Sequence, residues 1–189
     1  MKRLAVYCGS SPGVDPAFAE MARALGLEMA RRGIGLVYGG GRLGLMGIVA
    51  DAVLDSGGEA YGVIPQALIE LEVAHSGLTE LHIVTNMHER KAKMTDLTDA
   101  FLALPGGIGT LDELFEAWTW NALGYHAKPV ALLNVGGFWD NLVELMDHVM
   151  ASGFISPARR AQLVVADTID EAFDRLDAAI GAGERKMVW

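Results

Sequence analysis

The chain has 189 residues, of which 51% are hydrophobic, so it is long enough and apolar enough to fold as one domain with a buried core. Its 15 basic and 24 acidic residues give a net charge of −9, which excludes a broad basic surface for nonspecific binding to nucleic acid. The lone cysteine, Cys8, excludes an intramolecular disulfide, and the lack of a signal-peptide pattern or a long apolar run predicts a cytoplasmic protein that does not bind membranes.

Short apolar runs rich in β-branched residues alternate along the chain with longer segments of helical periodicity. The predicted strands are RLAVYCG (3–9), IGLVYGGG (34–41), EAYGVIP (59–65), LHIV (81–84), AFLALPGG (100–107), KPVALLNV (128–135) and LVVAD (163–167). The predicted helices are DPAFAEMARALGLEMARRG (15–33), 43–56, 87–98, 111–123, 138–151 and TIDEAFDRLDAAI (168–180). Residues 66–80 show no clear pattern.

Strands that alternate with helices in this way favour a parallel sheet with right-handed crossovers. We therefore predict an α/β fold: a Rossmann-like, doubly wound parallel sheet flanked by helices in three αβα layers, formed by a single domain over residues 1–189. Ligands of such sheets bind beyond the carboxyl ends of the strands.

Three glycine-rich turns follow predicted strands and so meet at this edge: CGSSPG (8–13), GGGRLGLMG (39–47) and PGGIGT (105–110). Glycine lets backbone N–H groups approach an anion closely, and a helix N-terminus behind the turn adds partial positive charge. Glycine is also common in ordinary loops, but three such turns at one edge favour a nucleotide or sugar-phosphate site. We expect the phosphate to be held by Gly40, Gly41, Gly106, Gly107, Gly109 and Thr110.

The second turn also contains the G-x-G-x-x-G pattern of dinucleotide-binding proteins, at Gly39, Gly41 and Gly44. That pattern requires an acidic residue at the end of the next strand, where this chain has Ile64 and Pro65. The G-K-[ST] ending of a P-loop is missing as well. Both NAD(P) binding and ATP hydrolysis are therefore disfavoured.

A cluster of cations, Arg90, Lys91 and Lys93, lies in NMHERKAKM (86–94) at the start of a predicted helix. Charge runs are usually solvated helix faces, but cations at a helix N-terminus oppose the macrodipole, so this location favours an anion ligand.

Acidic residues follow the last glycine turn, in GTLDELFEAW (109–118). One interpretation of Asp112, Glu113 and Glu116 is that they stabilise the helix N-terminus. In the other, Glu113 faces the ribose of a nucleotide whose phosphate the turn holds. A carboxylate there stabilises positive charge at the anomeric carbon or activates water, which suits cleavage of a glycosidic bond.

The motifs PGGIGTLDE (105–113) and MHERK (87–91), extended by GGGRLGLMG and WTWNALGYHAKPV, resemble the LOG (LONELY GUY) family of nucleotide phosphoribohydrolases over nearly the whole chain. The resemblance implies hydrolysis of cytokinin riboside 5′-monophosphates, which are N6-modified forms of AMP, or of AMP itself, to the free base and ribose 5-phosphate. It further implies a homodimer with active sites near the interface.

By position, the resemblance implies that Arg90 and Glu113 form the catalytic pair. The residues expected to contact the substrate are Gly40, Gly41, Glu72, Met87, Lys91, Gly106, Gly107, Ile108, Gly109, Thr110, Leu111, Asp112, Glu116 and Thr119. The chain departs from the family at Ile108, where many members have tyrosine, and at Asp112, where glutamate is common.

Two other functions stay open. A nucleotide-binding module without catalysis would keep the glycines and use the acids as caps. A pyridoxal-phosphate lysine decarboxylase would need a Schiff-base lysine, and no lysine of this sequence has a recognisable context for one. The histidines lack metal-ligand spacing, so neither a metal nor a cofactor is expected. The apolar helix FEAWTWNALGY (115–125) is the candidate dimer interface.

Overall fold

Seven parallel strands form one sheet in the order β4-β3-β2-β1-β5-β6-β7. The computed structural model describes residues 1–69 and 73–184. The strands are β1 (Arg3–Tyr7), β2 (Gly35–Tyr38), β3 (Ala60–Pro65), β4 (Glu80–Val84), β5 (Ala100–Ala103), β6 (Val130–Leu133) and β7 (Leu163–Ala166). All of them coincide with predicted strands.

Helices connect most of the successive strands and cover both faces of the sheet. They are α1 (Pro16–Arg31), α2 (Gly44–Asp55), α3 (Met87–Leu97), α4 (Ile108–Leu123), α5 (Asp140–Ala151), α6 (Pro157–Arg160) and α7 (Ile169–Glu184). Asp15 caps α1, accepting a hydrogen bond from the Ala17 N–H at 2.9 Å. No helix in the described ranges has the length and apolar character needed to cross a membrane.

The buried side chains fall into two clusters, one on each face, because successive strand residues point to opposite sides. On β1, Leu4 and Val6 pack with α1, α2 and α7, whereas Ala5 and Tyr7 pack with α3, α4 and α5. This arrangement confirms the predicted three-layer αβα fold.

The strand order reverses beside β1, which lies between β2 and β5. In open α/β sheets a ligand crevice forms at such a switch point, outside the carboxyl ends of the two strands. Here the turns after β1 and β5 are joined directly, since the Gly9 N–H donates to the Pro105 carbonyl at 3.1 Å. Two of the three glycine-rich turns thus flank the same crevice.

The local differences from the sequence-based prediction concern turns. Helix α4 begins at Ile108 rather than at 111, so the end of the glycine turn is already helical. The unassigned stretch 66–80 contains a short 3-10 turn, Gln66–Leu68, and an antiparallel bridge between Gly41 and Ala74. The four-residue helix α6 was not predicted.

Candidate active site

A cavity of about 250 Å³ opens at the switch point, on the side of α3 and α4. Most of its lining was predicted from the sequence: Met87, Arg90, Gly107, Ile108, Gly109, Thr110, Asp112 and Glu113. Of the rest of its lining, Cys8, Gly9, Ser10 and Met46 belong to two of the glycine-rich turns predicted to meet at this edge, and Leu68 lies in the stretch 66–80 that had no predicted structure. The structure therefore brings both predicted catalytic side chains into one cavity.

The N-terminus of α4 forms one wall of this cavity. The first N–H of α4 to bond within the helix is that of Leu111, which donates to the Gly107 carbonyl at 3.1 Å. The N–H groups of Ile108, Gly109 and Thr110 consequently have no partner inside the helix. Gly107 offers no side chain to cap them, so the helix end is suited to an anion.

The glycines of this turn serve two different needs. A Cβ on Gly106 would lie 2.1 Å from the hydroxyl of Thr110, whose side chain is buried, so Gly106 makes room for the threonine. A Cβ on Gly107 or Gly109 would meet no described atom within 4 Å. No packing within the described chain requires glycine at 107 and 109, and a ligand lying against the backbone would.

Arg90 is the fourth residue of α3, and its side chain points into the protein. The residue is only 4% exposed, and its Nη2 donates to the Gly39 carbonyl at 3.3 Å. A Cβ on Gly39 would be 2.0 Å from that same Nη2. The first glycine of the apparent dinucleotide pattern is therefore required by the arginine, a cause that the sequence pattern could not reveal.

Glu113 is half-buried in the second turn of α4 and lines the cavity. Its charge reaches two buried groups at the end of β1. Burial raises the pKa of the Cys8 thiol, and the Glu113 carboxylate raises it further. Burial likewise raises the pKa of Tyr7, with Glu113 as the next cause. Cys8 is therefore a packed, protonated thiol beside the carboxylate.

Lys91 joins α3 to α4 at the rim of the cavity. Its Nζ lies 2.7 Å from Asp112 and 2.8 Å from Glu116. Partial burial alone would lower the pKa of Lys91, but the hydrogen bonds to the two carboxylates outweigh it and the pKa is raised. Asp112 and Glu116 lie beyond the first turn of α4 and pair with Lys91, and neither caps the end of the helix.

The remaining predicted contacts lie outside the cavity lining. Gly40 and Gly41 are buried, and a Cβ on Gly40 would press on Leu81 and on β3. Leu111 is half-buried against the core, and Thr119 is exposed farther along α4. Glu72 is outside the described residues.

A second cavity of about 250 Å³ adjoins the first on the side of α1 and shares Gly9, Ser10 and Gly107 with it. Phe18 and Phe138 line it, with ring centroids 5.5 Å apart and edge to face. Within the described residues, no group of three His, Cys, Asp or Glu side chains is arranged to hold a metal ion.

Fold and site together define a class: a Rossmann-like α/β protein with a candidate active site at its topological switch point. Residues 46–176 match the family model described as "Possible lysine decarboxylase". The chain is 48% identical over 172 residues to a cytokinin riboside 5′-monophosphate phosphoribohydrolase of Rhodococcoides fascians, covering 90% of this chain and 87% of that protein.

It is also 46% identical over 188 residues to the cytokinin riboside 5′-monophosphate phosphoribohydrolase LOG of Oryza sativa subsp. japonica, covering 100% of this chain and 78% of that protein. The chain therefore belongs to the LOG family of phosphoribohydrolases, as the sequence motifs predicted. Among solved structures, the molybdenum cofactor binding protein of Rippkaea orientalis superposes with a TM-score of 0.72 at 20% identity, over 95% of this chain and 97% of that chain, which supports the fold.

Proposed function

We propose that the protein hydrolyses the N-glycosidic bond of cytokinin riboside 5′-monophosphates, of AMP, or of both, releasing the free purine and ribose 5-phosphate. One observation carries the proposal: the N-terminus of α4, the guanidinium of Arg90 and the carboxylate of Glu113 line one cavity. A phosphate, a ribose and a leaving purine require these three kinds of group. Relatives 43–49% identical to this chain carry the name of this activity.

The phosphate is held by the N–H groups of the first turn of α4. Gly107 and Gly109 let it approach the backbone, and Gly106 together with Thr110 fixes the shape of the turn. This binding places the ribose one turn deeper, beside Glu113. The apolar side chains of Met46, Met87 and Leu68 in the same cavity would pack against the purine.

Glu113 stabilises the positive charge that develops on the ribose as the bond to the base breaks, and it orients the water that attacks the anomeric carbon. The water oxygen forms a bond to that carbon, one water proton stays on the new hydroxyl, and the other balances the departing base. The guanidinium of Arg90 stabilises the negative charge of the phosphate or of the leaving purine. Its contact with the Gly39 carbonyl helps to hold its position before the substrate binds.

The test is base release from AMP and from isopentenyladenosine 5′-monophosphate, followed by chromatography. Glu113→Gln and Arg90→Lys should each lower kcat by about 10²–10³-fold, the range found when one stabilising contact to a developing charge is removed. Glu144→Gln on the exposed face of α5 is the matched control and should leave kcat unchanged. Folded variants at both catalytic positions with near-normal turnover would contradict the assignment.

The same assay separates this function from a non-catalytic nucleotide-binding module, which would bind AMP without releasing adenine. A lysine decarboxylase is disfavoured because none of the lysines in the described ranges lines either cavity. Lys91, at the rim, is partly buried but paired with two carboxylates, and its pKa is raised, whereas a Schiff-base lysine must react as a neutral amine.

We further propose that the protein is a cytoplasmic homodimer with active sites near the subunit interface. Helix α4 and the residues after it expose apolar side chains, with Leu123 61% and Tyr125 75% exposed, and Ile108 is 86% exposed at the mouth of the cavity. Pairing of two chains would remove such apolar side chains from water. Light scattering should give the mass of two chains, and a monomeric mass would contradict the proposal.

A further inference from the structure

The chain between β3 and β4 returns along the glycine turn that follows β2. The backbone N–H of His75 donates to the Gly40 carbonyl at 2.9 Å, and that of Arg42 donates to the Val73 carbonyl at 3.0 Å. Residues 73–75 and 40–42 therefore form one hydrogen-bonded unit. Its formation explains why the backbone of Gly40 faces protein rather than the cavity.

The side chain of His75 links this unit to α2. The side chain is 7% exposed, and both ring nitrogens have partners. Nε2 lies 2.9 Å from Asp51 Oδ1 on α2, and Nδ1 accepts the Gly77 N–H at 3.0 Å. A neutral imidazole with its proton on Nε2 satisfies both bonds at once.

Residues 73–75 need these hydrogen bonds because they include an unfavourable backbone conformation. Val73 has a φ of +49°, a region that β-branched residues rarely occupy. Conformations of this kind persist only where the surrounding structure holds them, and they cluster at functional sites. The hydrogen bonds of His75 supply that restraint two residues away.

The carbonyl of the preceding residue, Gly39, contacts the proposed catalytic arginine. Gly39 O accepts from Arg90 Nη2 at 3.3 Å, and Gly40 O accepts from His75 N. A shift of residues 73–75 would therefore reach the Arg90 contact through the single peptide bond that joins Gly39 to Gly40. A Cβ on Gly39 would lie 2.0 Å from Arg90 Nη2, so the guanidinium packs directly against the backbone of this turn.

We propose that His75, held by Asp51, is a positioning residue for Arg90 in the glycosidic-bond hydrolysis. It touches no reacting atom and acts by fixing the turn whose carbonyl orients the guanidinium. The inference rests on the proposed function, since it assigns Arg90 its catalytic role.

The kinetic test compares His75→Ala, which loses both ring bonds, with His75→Gln, whose amide can still reach Asp51. We expect His75→Ala to lower kcat about tenfold, as expected for a weakened hydrogen bond from a charged group, with KM changed less than about twofold. His75→Gln should recover most of kcat. The matched control is His126→Ala, because His126 Nδ1 also accepts a backbone N–H two residues on, at 3.2 Å, but in the loop between α4 and β6.

The same substitution is then made in an Arg90→Lys background. If His75 acts through Arg90, His75→Ala should cost less than about twofold there, because coupled residues are non-additive. An equal loss of kcat in both backgrounds would overturn the inference.

A second measurement does not depend on turnover. The side-chain Nε–Hε resonance of Arg90 in the NMR spectrum of the intact protein should shift or broaden in His75→Ala and remain unchanged in His126→Ala. An unchanged Arg90 resonance in His75→Ala would refute the positioning role. Failure of the wild-type protein to release any base would instead refute the proposed function and leave the resonance test intact.

Discussion

The ion pairs of Lys91 permit the sharpest test of how the rim of the cavity works. Replacing Lys91 with Met leaves Asp112 and Glu116 without their cation. The Asp112 pair is largely solvated, with the aspartate side chain 57% exposed, and contributes about 0.5 kcal/mol. The Glu116 pair is more enclosed, with side-chain exposures of 13% and 22%, so the substitution should cost about 2 kcal/mol in all. The expected drop in Tm is about 4–8 °C.

The substitution should also weaken substrate binding. Asp112 lies three residues beyond Gly109, a rise of about 4.5 Å, so its carboxylate is within about 8 Å of an anion at the helix N-terminus. An uncompensated charge at that distance opposes a phosphate by roughly 1 kcal/mol in a dielectric near 40, which raises KM about fivefold. We expect kcat to change little.

The decisive comparison is the triple variant in which Lys91→Met is combined with Asp112→Asn and Glu116→Gln. If Lys91 serves as a counter-ion, removing the acids should restore both Tm and KM towards the wild-type values. Thermal unfolding and base release from AMP measure the two quantities, and Lys93→Met on the same helix is the control. A triple variant with wild-type Tm but an undiminished KM defect would refute the reasoning, because Lys91 would then contact the phosphate directly.

Three further predictions follow from the packing and from the pKa values. Gly106→Ala should disrupt the turn or lower the free energy of unfolding by at least about 2 kcal/mol, because its Cβ would clash with Thr110 Oγ1. Gly107→Ala should keep the wild-type Tm and raise only KM. Thermal unfolding and steady-state kinetics distinguish the two variants. Burial lowers the pKa of His126 to about 4, so the unfolded chain binds the proton more readily than the folded protein does. Tm should therefore fall as the pH drops from about 6.5 towards 4. His126→Asn should flatten this pH dependence of Tm, and an unchanged slope would contradict the prediction. Burial raises the pKa of Cys8, so iodoacetamide at pH 8 should label the native thiol at least about 100-fold more slowly than the unfolded one, as mass spectrometry can measure.

The sequence predicts the sheet and the edge at which the site lies because both depend on local signals. Strand periodicity and glycine turns placed Arg90 and Glu113 at the carboxyl edge, and the structure puts both in one cavity. The start of α4 was misplaced because Ile108 and Gly109 look like loop residues, yet the extended backbone of Gly107 allows the helix to begin there.

What the sequence could not predict depends on contacts between distant segments. The role of Gly39 follows from Arg90, which lies 51 residues later and occupies the space of a side chain. The pairing of Lys91 with acids on α4 likewise joins two helices, and the hydrophobic periodicity of the sequence does not show that these helices lie side by side. A glycine pattern read along the chain therefore indicated a site but could not show which glycines serve a ligand and which serve a neighbour.

Because α4 begins at Ile108, the distance between its first turn and Glu113 is fixed by the geometry of a single helix. Gly109 in the first turn and Glu113 in the second belong to one helix, four residues and about 6 Å apart along its axis. If the phosphate is anchored at the first point and the bond is broken at the second, the helix acts as a ruler for the substrate. A nucleoside lacks the anchored end, and a diphosphate held by its terminal group would carry its sugar past the carboxylate. Because helical rise is constant, this selection would be set by the helix itself rather than by a loop.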